Sequence, residues 1–148
     1  MMKKLYPPMH FKIYLIISIA LHFVLPVIII IPSPYNYVGS LLILLGLILN
    51  IWADQLFKRN RTVISPDKVP TTLVLNGPFK ISRNPMYLGM LKALVGVSII
   101  LGSLSSFMGP ILFFIAMEKK FIPIEEKNIF SVFGEDFDTY RSRVRKWI

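Results

Sequence analysis

The chain contains no cysteine and only two histidines among its 148 residues. Disulfides, thiolate catalysis and thiolate-ligated zinc are therefore excluded, and no metal site is expected. Charge is sparse as well: charged residues make up 17% of the chain against 54% hydrophobic. A soluble domain of this size has too high a surface-to-volume ratio to bury so much apolar surface. Most of that surface must face lipid or other membrane-embedded helices, and the length leaves room for a single domain. Acid is the scarcer sign, with 8 Asp and Glu against 17 Lys and Arg and a net charge of +9. No basic cluster is interleaved with aromatics on a polar stretch, so no nucleic-acid partner is expected. Lys and Arg instead collect on the cytoplasmic segments of membrane proteins, beside anionic headgroups.

What is present is a succession of apolar runs. Met1-Met2-Lys3-Lys4 followed by such a run looks like a signal peptide, but the run over 11–31 has the length of a spanning helix and no small-x-small site follows it. It reads as a first transmembrane helix, kinked at Pro26, with His22 bonding a neighbouring helix. Pro32, Ser33 and Pro34 open a tight interfacial turn. A second span is expected over 38–57, with Gly39, Ser40 and Gly46 permitting close helix contact. The segment 58–85 is a basic loop broken by Pro66, Pro70, Gly77 and Pro78. The apolar stretch after it is too long for one helix, and Gly102-Ser103-Leu104-Ser105-Ser106 divides it into a hairpin of spans over 86–102 and 107–120.

The segment 121–148 reads as a cytoplasmic amphipathic helical tail. Phe130, Phe133, Phe137, Tyr140, Val144 and Trp147 recur at helical spacing, and Gly134 divides the tail before Glu135 and Asp136. Its basic, aromatic end suits anionic headgroups. Every Lys and Arg except Lys92 falls near the N-terminus (as far as Lys12), in the 58–85 loop, or from Lys119 at the end of the fourth span onward, and the two opposite turns have none. The fold expected is thus all-α, an integral multi-pass membrane protein of about four transmembrane helices plus the tail, with both termini cytoplasmic. Lys92 either snorkels to the interface or serves the site.

Two clusters can carry chemistry. Arg83-Asn84-Pro85-Met86-Tyr87-Leu88-Gly89 leads from the loop into the third span, with Asn84 as helix cap and Pro85 at the first helical position. In Pro123-Ile124-Glu125-Glu126 the proline starts a helix and the acids either complement its dipole or bind a ligand.

The first of these, extended back through Gly77-Pro78-Phe79 to Leu73-Val74, resembles a signature of small integral membrane methyltransferases. These are the isoprenylcysteine carboxyl methyltransferase and phospholipid methyltransferase families. Glu125-Glu126, Phe133-Gly134-Glu135-Asp136-Phe137, Tyr140 and the basic ending match in order, so the resemblance covers 61–148. It implies S-adenosylmethionine as methyl donor, with Thr71, Thr72, Leu73, Val74 and Phe79 lining its pocket. Asn84, Pro85, Met86 and Tyr87 would close around it, and Glu125 would contact it. A carboxylate suits a ligand bearing an ammonium and a sulfonium, and the rings of Phe79 and Tyr87 suit a cation or an adenine.

Where the carboxyl methyltransferases commonly carry His, this chain has Asn84, which removes a candidate imidazole base. The arginine thought to hold a prenylcysteine falls on Phe121, beside Lys119 and Lys120, and Phe121 is the expected acceptor contact. No catalytic residue is assigned; Glu126 and Glu118 are the nearby candidates for a base. The reaction implied is methyl transfer to a lipophilic or small acceptor at the cytoplasmic face, with the lipid bilayer as the other partner. The competing readings are a nicotinamide-dependent membrane reductase and a non-catalytic adaptor on the same scaffold.

Overall fold

Proline and glycine set the boundaries of this all-helical chain. The computed structural model describes residues 6–62 and 70–148. Met1 to Lys4, Pro66, Asp67 and Lys68 lie outside the described residues. Helix α1, Pro7–Val24, opens on a proline pair, where the missing amide hydrogens go unneeded. The expected span over 11–31 is not one helix: α1 stops two residues before Pro26. Proline cannot donate to the carbonyl of His22 and disfavours helical geometry at the preceding residue, and Leu25 sits at φ −138°, ψ 66°. Residues 25–31 run on without helix, with an isolated antiparallel bridge from Ile29 to Ser103. They are not left unpaired, because the amides of Ile30 and Ile31 donate to Gly102 O at 2.8 and 3.1 Å, and Leu104 N donates to Ile28 O at 2.9 Å. Pro26 therefore ends the helix rather than kinking it.

Helix α2, Val38–Arg59, and helix α3, Pro85–Leu101, fall where the apolar runs place them. They make the most extensive contact in the molecule, and four glycines explain why. A methyl added at Gly39 would collide with the carbonyl oxygen of Gly96, and one at Gly46 with that of Gly89. The two pairs, seven residues apart on each antiparallel helix, bring the backbones together as small residues do in membrane helix pairs. Ser40 takes no part in this; its hydroxyl is exposed and donates to Tyr37 O at 2.6 Å. Gly102, at φ +75°, turns the chain back after α3. His22 contacts Ser103 Oγ at 2.9 Å, so its partner lies in that turn rather than on a neighbouring helix as expected.

The fourth apolar segment differs from expectation. Helix α4, Met108–Ala116, passes through a wide π turn, Met117–Phe121, straight into helix α5, Ile122–Phe133. The helical run does not end at Lys120, and Pro123 does not start a helix after a break. Proline in a regular helix would clash with the carbonyl four residues back, and the widened turn immediately before it accommodates the ring. Helix α6, Glu135–Arg143, follows Gly134 as the pattern indicates.

Two apolar clusters result. One joins Ala53 and Phe57 of α2 to Val74, Phe79, Ile129, Phe137 and Tyr140; the other joins Tyr87 and Leu94 of α3 to Phe113, Met117, Phe121 and Ile122. α1 and the helical run Tyr35–Arg59 are long and apolar enough to cross a bilayer, yet only 11% and 17% of an apolar 18-residue stretch of each are buried. The core helix of a soluble domain would be mostly buried, so these surfaces suit a lipid environment. α3 is a shorter apolar helix.

Because the glycines seat backbone on backbone, Gly46→Ala must push α2 and α3 apart and should cost about 1–3 kcal/mol. Unfolding of the purified protein in detergent measures this, and wild-type stability in that variant would refute the close-contact account.

Candidate functional site

Helix α3 begins where the basic segment meets the bundle, and three elements converge on that point. Pro85 occupies the first helical position, as expected, but Asn84 does not cap the helix with its side chain. Its amide instead donates from Nδ2 to Lys146 O at 3.0 Å, because the end of the chain lies directly against it. Arg83 fixes the same junction. Its Nε and Nη2 approach Glu126 Oε1 at 3.1 and 2.8 Å, and its Nη1 donates to Arg141 O and Val144 O, each at 3.0 Å. Tyr140 of α6 closes the floor, donating from Oη to Phe79 O at 2.7 Å. Burial holds its phenol above the ordinary range.

Glu125 differs from its neighbour Glu126. It is 5% exposed, and Tyr87 Oη donates to its Oε1 at 2.6 Å. Among the described residues, ion pairs engage Asp54, Glu126, Asp138 and Glu118, not Glu125. Burial pushes its carboxyl up to about 7, while the Tyr87 hydrogen bond acts in the opposite direction. A buried carboxylate with no ion pair of its own is costly, and a cationic ligand would relieve that cost.

Glu125 looks onto two adjoining cavities. The larger, about 310 Å³, is lined by Tyr6, Pro7 and Pro8 at the start of α1, by Phe57, Phe79 and Arg83, and by Asn84, Pro85, Met86, Tyr87, Met90 and Glu125. That volume is in the range of small-molecule sites. The smaller, about 30 Å³, lies among Thr72, Leu73, Val74, Glu126, Ile129, Phe133, Phe137 and Tyr140. Phe79, Arg83, Asn84 and Glu125 form the wall common to both.

The structure thus brings Phe79, Asn84, Pro85, Met86, Tyr87 and Glu125 to the larger cavity, and Thr72, Leu73 and Val74 to the smaller. Thr71 lines neither; its hydroxyl donates to Arg61 O at 3.2 Å and its amide to Thr62 Oγ1 at 3.1 Å. Phe121 lines neither as well. It is buried in the second cluster, edge-on to the His10 ring at 4.8 Å. Lys92 is also absent from both linings. Tyr6, Pro7, Pro8, Phe57, Arg83 and Met90 are lining residues that sequence reasoning did not assign. Of these, only Arg83 carried a signal, its place beside Asn84.

The pattern of the phospholipid methyltransferase family matches residues 35–136, more than half of the chain. An uncharacterized protein of Haemophilus influenzae is 32% identical over 63 residues, which are 43% of this chain and the whole of that protein.

A carboxyl raised by burial binds its proton more tightly folded than unfolded. Its contribution to stability is full below the unfolded value of 4.5 and is lost as pH rises through about 7. In the ligand-free protein, Glu125→Gln should remove that decline, a difference of about 3 kcal/mol above the upper midpoint. Unfolding curves of both proteins across that range test it, and superimposable pH profiles would contradict it.

Proposed function

The chain belongs to the phospholipid methyltransferase family, and from that premise we propose that it transfers a methyl group from S-adenosylmethionine to a lipophilic or small acceptor at the cytoplasmic membrane face. The observation that carries this reading is Glu125, a buried carboxylate with no ion pair among the described residues, set in the wall common to two cavities. The residues present fit the cofactor. Glu125 offers a counter-charge to its cationic end, and Phe79 and Tyr87 offer aromatic surface beside that charge. Thr72, Leu73 and Val74 line the compartment on the other side of the wall.

Bound there, S-adenosylmethionine supplies an electrophilic methyl group on a positively charged sulfur. The protein's part is orientation and exclusion of water. Tyr87 holds the Glu125 carboxylate in one position through its 2.6 Å hydrogen bond. Pro7, Pro8, Phe57, Met86 and Met90 make the larger cavity chiefly apolar, so charge interactions inside it are weakly screened. An apolar chamber of this kind suits a lipophilic acceptor and an anionic nucleophile, which needs alignment more than a base. Glu126 is engaged by Arg83 and Glu118 by Lys146, so neither candidate base is free of a partner.

In this reading the chain is one membrane domain. α1, α2, α3 and the α4 segment cross the bilayer, and the basic loop, α5, α6 and both ends are cytoplasmic. The distribution of Lys and Arg supports that orientation.

Binding of labelled S-adenosylmethionine to purified protein, with NADPH as comparison, tests the proposal. The cation favours ionised Glu125, so affinity should climb with pH and level off above about 7. Glu125→Gln should weaken binding by about tenfold or more and flatten that dependence. Retention of NADPH in place of S-adenosylmethionine would favour a reductase. Retention of neither would favour an adaptor.

A further inference from the structure

Glu118 lies outside both cavity linings, yet it holds the end of the chain. From the π turn it accepts a bond from Lys146 Nζ at 2.6 Å and another from Trp147 Nε1 at 2.9 Å. The Trp147 ring packs against Phe114 with centroids 5.0 Å apart. These contacts lay residues 144–147, which follow α6 outside any regular element, against the segment leading into α3. There Arg83 N donates to Arg145 O at 3.0 Å, and Lys146 O accepts from Asn84 Nδ2 at 3.0 Å and Ser82 Oγ at 3.2 Å. Arg83 and Asn84 are the residues whose other faces line both cavities.

The wall of the site is thus backed by a strap with no regular hydrogen-bond ladder of its own. Single side-chain to backbone bonds of this kind exchange readily with water unless the chain that supplies them is tethered. The Arg83 guanidinium holds the start of the strap through Arg141 O and Val144 O, and Glu118 supplies charge-assisted bonds at its far end, to Lys146 and Trp147. We infer that Glu118 is a positioning residue: through Lys146 and Trp147 it holds the 144–147 strap, and so sets the Arg83-Asn84-Pro85 corner for the methyl donor. The functional half of this inference rests on the methyl-donor reading, whereas the structural half rests on the hydrogen bonds alone.

Two readouts separate the halves. Glu118→Gln should speed amide exchange at Arg83, followed by NMR in detergent, by about tenfold or more. It should weaken S-adenosylmethionine binding by a similar factor, since small displacements of a site wall are costly. Glu118→Lys combined with Lys146→Glu should recover the share of both losses that the ion pair carries, while the Trp147 bond stays lost because an ammonium cannot accept it. Wild-type exchange at Arg83 in Glu118→Gln would overturn the inference, and so would wild-type affinity. Should Glu118→Gln fail to fold, Trp147→Phe removes one bond and keeps the ring; it must then shift both readouts in the same direction, and no shift overturns the claim. A wild-type protein that does not bind S-adenosylmethionine would sink the methyl-donor reading, while exchange at Arg83 would still decide the tether.

Discussion

The hydrogen bond between Tyr87 and Glu125 joins the first turn of α3 to the helix that follows the last apolar segment, and it does so around a group that is costly to bury. A carboxyl only 5% exposed is tolerated when a donor satisfies one oxygen and either a proton or a cation balances the charge. Tyr87 supplies the donor at 2.6 Å. The balance between proton and cation is left to conditions, because the carboxyl titrates near neutrality. A site with those properties is poised to take up a cation and to release a proton as it does so.

The fold serves this contact in two ways. The glycine pairs of α2 and α3 press those helices backbone to backbone, which brings Phe57 at the end of one helix and Tyr87 at the start of the other to the same cavity. The π turn lets the fourth segment continue through Pro123 without a break, so a single helical run carries both Glu118 and Glu125. One of them tethers the strap behind the corner and the other faces into it.

The second and third apolar helices were legible because each is an unbroken run ended by glycine or by a polar stretch. The end of α1 was not. Apolar composition counts residues without saying whether they are coiled or extended, and Pro26 reads alike as a kink or a stop. What decides it is the row of backbone partners at 102–104, far along the chain. The π turn left no mark in the sequence either. In the site, Phe79, Asn84, Tyr87 and Glu125 were legible as a motif, but the duty of Asn84 was misread. Its partner is the backbone carbonyl of Lys146, and a carbonyl carries no signature in sequence. The wall formed by Tyr6, Pro7 and Pro8 escaped notice for a related reason: nothing in those residues points to a cavity nearly eighty positions away.

Infrared difference spectroscopy of S-adenosylmethionine binding, recorded just below neutral pH with Glu125→Gln as control, reads the central charge pairing most directly. The account predicts that a protonated carboxyl band gives way to a carboxylate band on binding, and that the variant lacks this change. Binding to the wild-type protein with no change in carboxyl ionisation, or with the same change in Glu125→Gln, would contradict it.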